Sequence, residues 1–162
     1  MIEAMFIIDG NNLLHTIIKL EEDPGAISDV GLCRILGRYF KLAGGKCEIV
    51  FDGTGPQDKS GFDKISNLEV LFAGLGTDTD TVIEDKISAS TAPKSLTIVS
   101  SDRRLRSAAR MRRATSIKSD VFWNDVQKQL SRKRPVKEPP EKRQGLNEGE
   151  TEQWLEFFGF GQ

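Results

Sequence analysis

Five aspartates in this 162-residue chain stand where a run of apolar residues gives out. Asp9 closes "MFIID", Asp52 closes "CEIVFD", Asp78 and Asp80 follow "LEVLFAG" closely, and Asp102 follows "SLTIVSS". A carboxylate at the mouth of a hydrophobic strand costs free energy unless it caps a helix or meets a cation. Brought together without compensation, the five would repel one another. A divalent ion removes the conflict, and ligands of oxygen alone suit Mg²⁺ or Mn²⁺. Glu84 lies four residues after Asp80, one helical turn on and on the same face. Asp78 and Asp52 also have plainer readings, as a helix cap and as a turn residue before "GTGP".

Cations are as unevenly placed. Residues 1–85 hold 7 Lys and Arg against 15 Asp and Glu, whereas residues 86–162 hold 16 against 9. Arg103, Arg104, Arg106, Arg110, Arg112 and Arg113 crowd one segment directly behind Asp102. Acids for a metal beside arginines for phosphate is the combination that a polyanion-processing site needs. A charge run alone reads as a solvated helix face, but this one adjoins the acids. A nucleic acid is the better partner.

Positioning these residues requires alternating elements. "AMFIID" reads as a buried strand, "NNLLHTIIKL" as a helix, and residues 27–43 as a second helix closed by Gly44 and Gly45. Then come strand "CEIVFD", a polar loop through "GTGPQDKSGFDKISN", strand "LEVLFAG", helix "DTDTVIEDKISAS" and strand "SLTIVSSD". The basic helix, a short strand "TSIK" and a helix "DVFWNDVQKQL" capped by Ser119 complete the series. Such alternation predicts an α/β domain with a parallel sheet covered by helices on both faces, and a site at the carboxyl ends of its strands. That domain is expected over residues 1–131. A basic, proline-rich linker is expected over 132–146, and a short aromatic helix over 147–162, capped by Asn147 and anchored by Trp154, Leu155, Phe157 and Phe158.

Other classes find less support. Hydrophobic residues make up 38% and charged residues 29%, as in an ordinary globular protein. "MIEAMFIIDG" carries no basic leader and no spanning run, so a cytoplasmic protein with no membrane partner is expected. Cys33 and Cys47 have no metal-ligand spacing and read as reduced, half-buried thiols. His15 is the only histidine, and with no nucleophile elbow beside it a packing role is expected. "DTDTV" imitates the nucleophile motif of haloacid-dehalogenase-like phosphatases, but it comes far behind the first strand. No residue pattern speaks to oligomeric state.

"IIDGNNLLH", "VFDG", "DTDTVIEDKI" and "IVSSDRRL", in this order, resemble the NYN domain of the YacP family, a branch of the PIN-like ribonuclease superfamily. The likeness covers roughly residues 4–130. It implies a PIN-like three-layer α/β/α fold and metal-dependent endonucleolytic cleavage of RNA. Some members act on mRNA in association with the ribosome, which extends the implied partners. Carried over, the catalytic metal acids are Asp9, Asp80 and Asp102, with Glu84 as a further ligand and Asn12, Asp52, Asp78 and Ser101 in support. Asn11 takes the place of an aromatic residue common there, a departure that bears on base stacking and leaves the acids untouched. RNA contacts are expected from Arg103, Arg104, Arg106, Arg110 and Arg113. A non-catalytic RNA-binding or ribosome-associated factor on the same fold is the alternative.

Overall fold

A computed structural model describes residues 4–23, 25 and 27–132. The expected linker and aromatic helix lie outside the described residues, except that Arg132 ends the last helix. The chain runs β1 (Met5–Asp9), α1 (Gly10–Glu21), α2 (Asp29–Ala43), β2 (Lys46–Phe51), α3 (Ser60–Asp63), β3 (Leu68–Phe72), α4 (Thr79–Ala89), β4 (Leu96–Val99), α5 (Arg103–Met111), β5 (Thr115–Ile117) and α6 (Ser119–Arg132). A single 3₁₀ turn, Pro93–Ser95, leads into β4.

The five strands form one parallel sheet in the order β3-β2-β1-β4-β5. β1 is central, pairing Ile8 with Ile49 of β2 on one side and with Val99 of β4 on the other. From β1 the chain builds outward to β2 and β3, then crosses back over the sheet through α4 to β4. The strand order therefore reverses between β1 and β4, where a crevice opens at the carboxyl ends. Asp9 is the last residue of β1 and stands at that crevice.

The three inner strands, β2, β1 and β4, are buried on both faces, so their residues divide between two cores by alternation. Ile8, Ile49 and Val99 point into the larger core with Leu13, Ile17, Leu36, Phe40, Phe122 and Trp123 from α1, α2 and α6. Ile7, Val50 and Ile98 face the smaller one with Ile83 and Ile87 of α4 and Leu105 and Ala109 of α5. The result is the three-layer α/β/α arrangement. Phe6, Tyr39, Phe40 and Phe122 pack mostly edge to face at 5.0–6.4 Å, and the Tyr39 hydroxyl donates to Asp125 at 2.7 Å, tying α2 to α6.

Some local expectations change. The loop after β2 contains α3, whose Phe62 is buried edge-on against Phe72 at 5.6 Å, an anchor too isolated to show periodicity. Cys33 and Cys47 are free but fully buried, not half-buried, and burial pushes the Cys33 thiol up to about 12 and Cys47 well above its ordinary value. Both stay protonated and inert. Among the described residues, no helix is long and apolar enough to cross a membrane.

Candidate active site

At the crevice the chain turns from β1 straight into α1, and Asp9 serves as the helix N-cap. One of its oxygens accepts from the Asn12 backbone N–H at 3.3 Å; the other accepts from the Ser100 hydroxyl at 3.0 Å. The turn is tight because residue 10 is glycine. A Cβ there would meet the Phe51 ring at 2.6 Å and the Val50 carbonyl oxygen at 2.9 Å. Asp9 is only 5% exposed. Burial raises its pKa to about 6 against the opposing hydrogen bonds from Asn12 and Ser100, and Asp80 and Asp52 push it the same way.

Asp9 lines a cavity of about 470 Å³ with Asp52, Asp78 and Asp80, along with Asn11, Asn12, His15 and Thr79. Four acids from three separate strand ends therefore share one recess. Asp80 lies in the first turn of α4, its pKa raised by burial and by Asp102 and lowered by Arg104. Asp52 accepts from both the backbone N–H and the hydroxyl of Thr79, at 3.1 and 2.6 Å, and its own N–H donates to Asn11 Oδ1 at 2.7 Å. The Thr79 bonds lock the end of β2 to the start of α4, and the Asn11 bond ties it to α1. Asp78 takes the capping role, accepting from the Thr81 N–H at 2.8 Å.

Asp102 stands beside this cavity rather than in its wall. It caps α5, one oxygen accepting from the N–H groups of Arg104 and Leu105 at 2.8 and 3.4 Å. Ser100 connects it to Asp9, since the same buried hydroxyl that donates to Asp9 accepts from the Asp102 N–H at 3.1 Å. The sequence reading missed Ser100, although the serine pair at the end of β4 was the signal.

A second strut runs through Asn12. Its side-chain oxygen accepts from the Ser119 hydroxyl at 2.6 Å and the Ser101 N–H at 3.0 Å, and Ser101 Oγ accepts from the Ser119 N–H at 3.1 Å. Ser119 was expected to cap α6. Instead it is the first residue of that helix, fully buried, with its hydroxyl directed to Asn12.

Glu84 is taken by an arginine. Arg104 grips it with two nitrogens, Nε to Oε2 at 2.8 Å and Nη2 to Oε1 at 2.7 Å, and these bonds hold Glu84 below the usual carboxylate range. The other expected RNA-binding arginines divide by helix face. Arg103 and Arg106 look toward α1, while Arg110 and Arg113 are exposed further along. Arg112 is bonded to the Ile87 and Ser90 carbonyls that end α4. His15 departs from its expected packing role. The buried face of α1 runs through Gly10, Leu13 and Ile17, which leaves position 15 exposed at the cavity mouth.

The donor set of the recess suits a divalent ion. Its chemistry fits, being carboxylate and amide oxygen with no thiolate, and Mg²⁺ needs only one or two carboxylates because it keeps its waters. Among the described residues, no three acidic, histidine or cysteine side chains stand together as one complete ligand group. Asp9 and Asp80 in one recess, with Asp102 beside Asp80, meet the smaller requirement.

A YacP-like NYN domain is matched over residues 6–157. The chain belongs to that family. Among solved structures, it is similar to Rae1 (YacP) from Bacillus subtilis, with 21% identity, a TM-score of 0.67, and 95% of this chain and 91% of that one covered. A Trp-to-Leu variant of the same Bacillus protein matches at 17% identity and a TM-score of 0.62, covering 96% and 92%. No curated protein matches the sequence significantly. These likenesses carry the fold: a central parallel sheet of five strands between helices.

Proposed function

We propose that this NYN-domain chain is a metal-dependent endoribonuclease that hydrolyses RNA phosphodiester bonds. The observation that carries the reading is the buried Asp9, set at the switch point of the sheet in a recess shared with Asp80 and Asp52. Asp80 and Asp52 both raise the pKa of the buried Asp9, and a fold keeps such a conflict most readily where a cation resolves it.

A Mg²⁺ or Mn²⁺ ion held by Asp9, Asp80 and Asp102 would supply a nucleophile at neutral pH and positive charge at the scissile phosphate. The chain's own residues do the rest. Ser100 and the Asn12 N–H aim the Asp9 carboxylate, while Asp52 spends one oxygen on Thr79 and keeps α4, hence Asp80, at the cavity. Arg104 lies 3.9 Å from Asp80 and offsets part of the acid charge. Arg103 and Arg106 offer phosphate contacts beside the recess. No side-chain nucleophile is required. The family resemblance makes mRNA on the ribosome one candidate substrate.

Cleavage of labelled RNA with Mn²⁺, Mg²⁺ or EDTA, comparing wild type with Asp9→Asn and Asp80→Asn, tests the assignment. Cutting should need the metal and be lost in both variants. Undiminished cutting by both would end the metal-site assignment. Binding without cutting by the wild type would identify a non-catalytic RNA-binding factor.

A further inference from the structure

A second cavity, of about 590 Å³, lies against the acidic recess, and His15 lines both. Its character is opposite. Lys19 of α1, Arg103 and Arg106 of α5, and Lys118 before α6 surround it, with Asp120 the one acid in its wall. Three separate elements bring these cations together, so the groove is more than the solvated face of one helix. The acidic recess has no Lys or Arg in its own wall and cannot hold a polyanion unaided.

Arg106 is half-buried, so its side chain is held in the groove wall, and a guanidinium there can take a phosphate in two parallel hydrogen bonds.

We propose that this groove receives the single-stranded RNA flanking the cut, held by its phosphates on Lys19, Arg106 and Lys118, with His15 contacting the strand as it passes into the acidic recess. α1 rises ~10 Å between Asn12 and Lys19, so the strand runs along that helix. A single strand is the occupant because Asp9, in the recess the groove leads to, is buried, and a flexible strand can bend one phosphate down to it where a stiff A-form duplex cannot. The groove deepens the nuclease reading and rests on it only for where the cut falls.

The test is fluorescence anisotropy of the full chain in EDTA, with a labelled oligouridylate and with a duplex RNA of equal length. The Lys19→Ala/Lys118→Ala double variant should bind the single strand about tenfold more weakly. Its slope of log affinity against log salt should be shallower by about 1.4, two contacts on a single strand. His15→Ala should also weaken binding, and Lys94→Ala, an exposed lysine remote from the groove, should not. Asp120→Asn should bind more tightly, a gain no folding defect produces. Wild-type affinity and slope in the double variant, an equal loss in Lys94→Ala, a tighter hold on duplex, or no RNA binding by the wild type overturns the proposal. Cutting is scored separately with Mn²⁺. A wild type that binds through the groove and never cuts keeps the groove and sinks the nuclease reading; one that cuts while the double variant binds normally does the reverse.

Discussion

Arg104 holds both carboxylate oxygens of Glu84, at 2.7 and 2.8 Å, while a third nitrogen of the same guanidinium lies 3.9 Å from Asp80. Glu84, expected as a metal ligand, thus anchors a cation beside Asp80. The pair is partly exposed, so solvent screens it and it contributes little to stability. Its effect is on the charge around Asp80.

If Glu84 acts only through Arg104, Glu84→Gln should slow RNA cleavage by about tenfold, the cost typical of a residue one step from a metal ligand. Asp80→Asn should cost at least ~100-fold under the same conditions. Single-turnover rates in Mn²⁺ separate the two. Equal losses would return Glu84 to the ligand set.

Asp9 should link stability to pH. Its folded pKa, about 6, lies above the ordinary 3.8, so the folded chain holds a proton that the unfolded chain has released. Asp9 therefore contributes stability in full below about pH 4, and that contribution disappears as pH rises through 6. The whole effect is about 3 kcal/mol. Asp9→Asn keeps both hydrogen bonds, since the Ser100 hydroxyl can accept where it donated. The metal-free variant should melt higher than wild type at pH 7 and converge with it near pH 4. A variant less stable at pH 7 would contradict the burial cost assigned to Asp9.

Gly10→Ala should destabilise the chain by about 1–3 kcal/mol, because a methyl group meets the Phe51 ring and the Val50 carbonyl at the β1–α1 turn. Urea unfolding measures it. A neutral result would mean that α1 can withdraw from β2 without cost.

Ser119→Ala should cost about 1 kcal/mol by removing the donor to Asn12. It should also lower cleavage with little change in RNA affinity, since Asn12 sits in the recess wall and Ser119 does not. Thermal melts and cleavage rates check the two halves separately. An unchanged rate would reduce the strut to a structural role.

Much of this molecule is local in origin and could be read from the chain. The apolar runs ending on Asp9, Asp52 and Asp102 mark strands because only a doubly buried parallel strand tolerates them. Helix α2 begins behind Ser28 and ends at Gly44, whose φ of 86° suits glycine. Asp78 as a cap follows from its place before a helical pattern. Helix α3 escaped, since it is four residues long and rests on a single buried ring.

The sequence by itself determined the alternation of strands and helices and the set of strand-end acids, since periodicity and strand termini are properties of neighbouring residues. Which acids share the recess was decided by tertiary structure alone. Asp102 stands aside as the cap of α5, Glu84 is drawn to Arg104 from 20 residues away, and Ser119 reaches Asn12 across 107 residues. Those choices depend on how helices docked on a twisted sheet bring distant side chains within hydrogen-bonding range, and no local pattern encodes that distance.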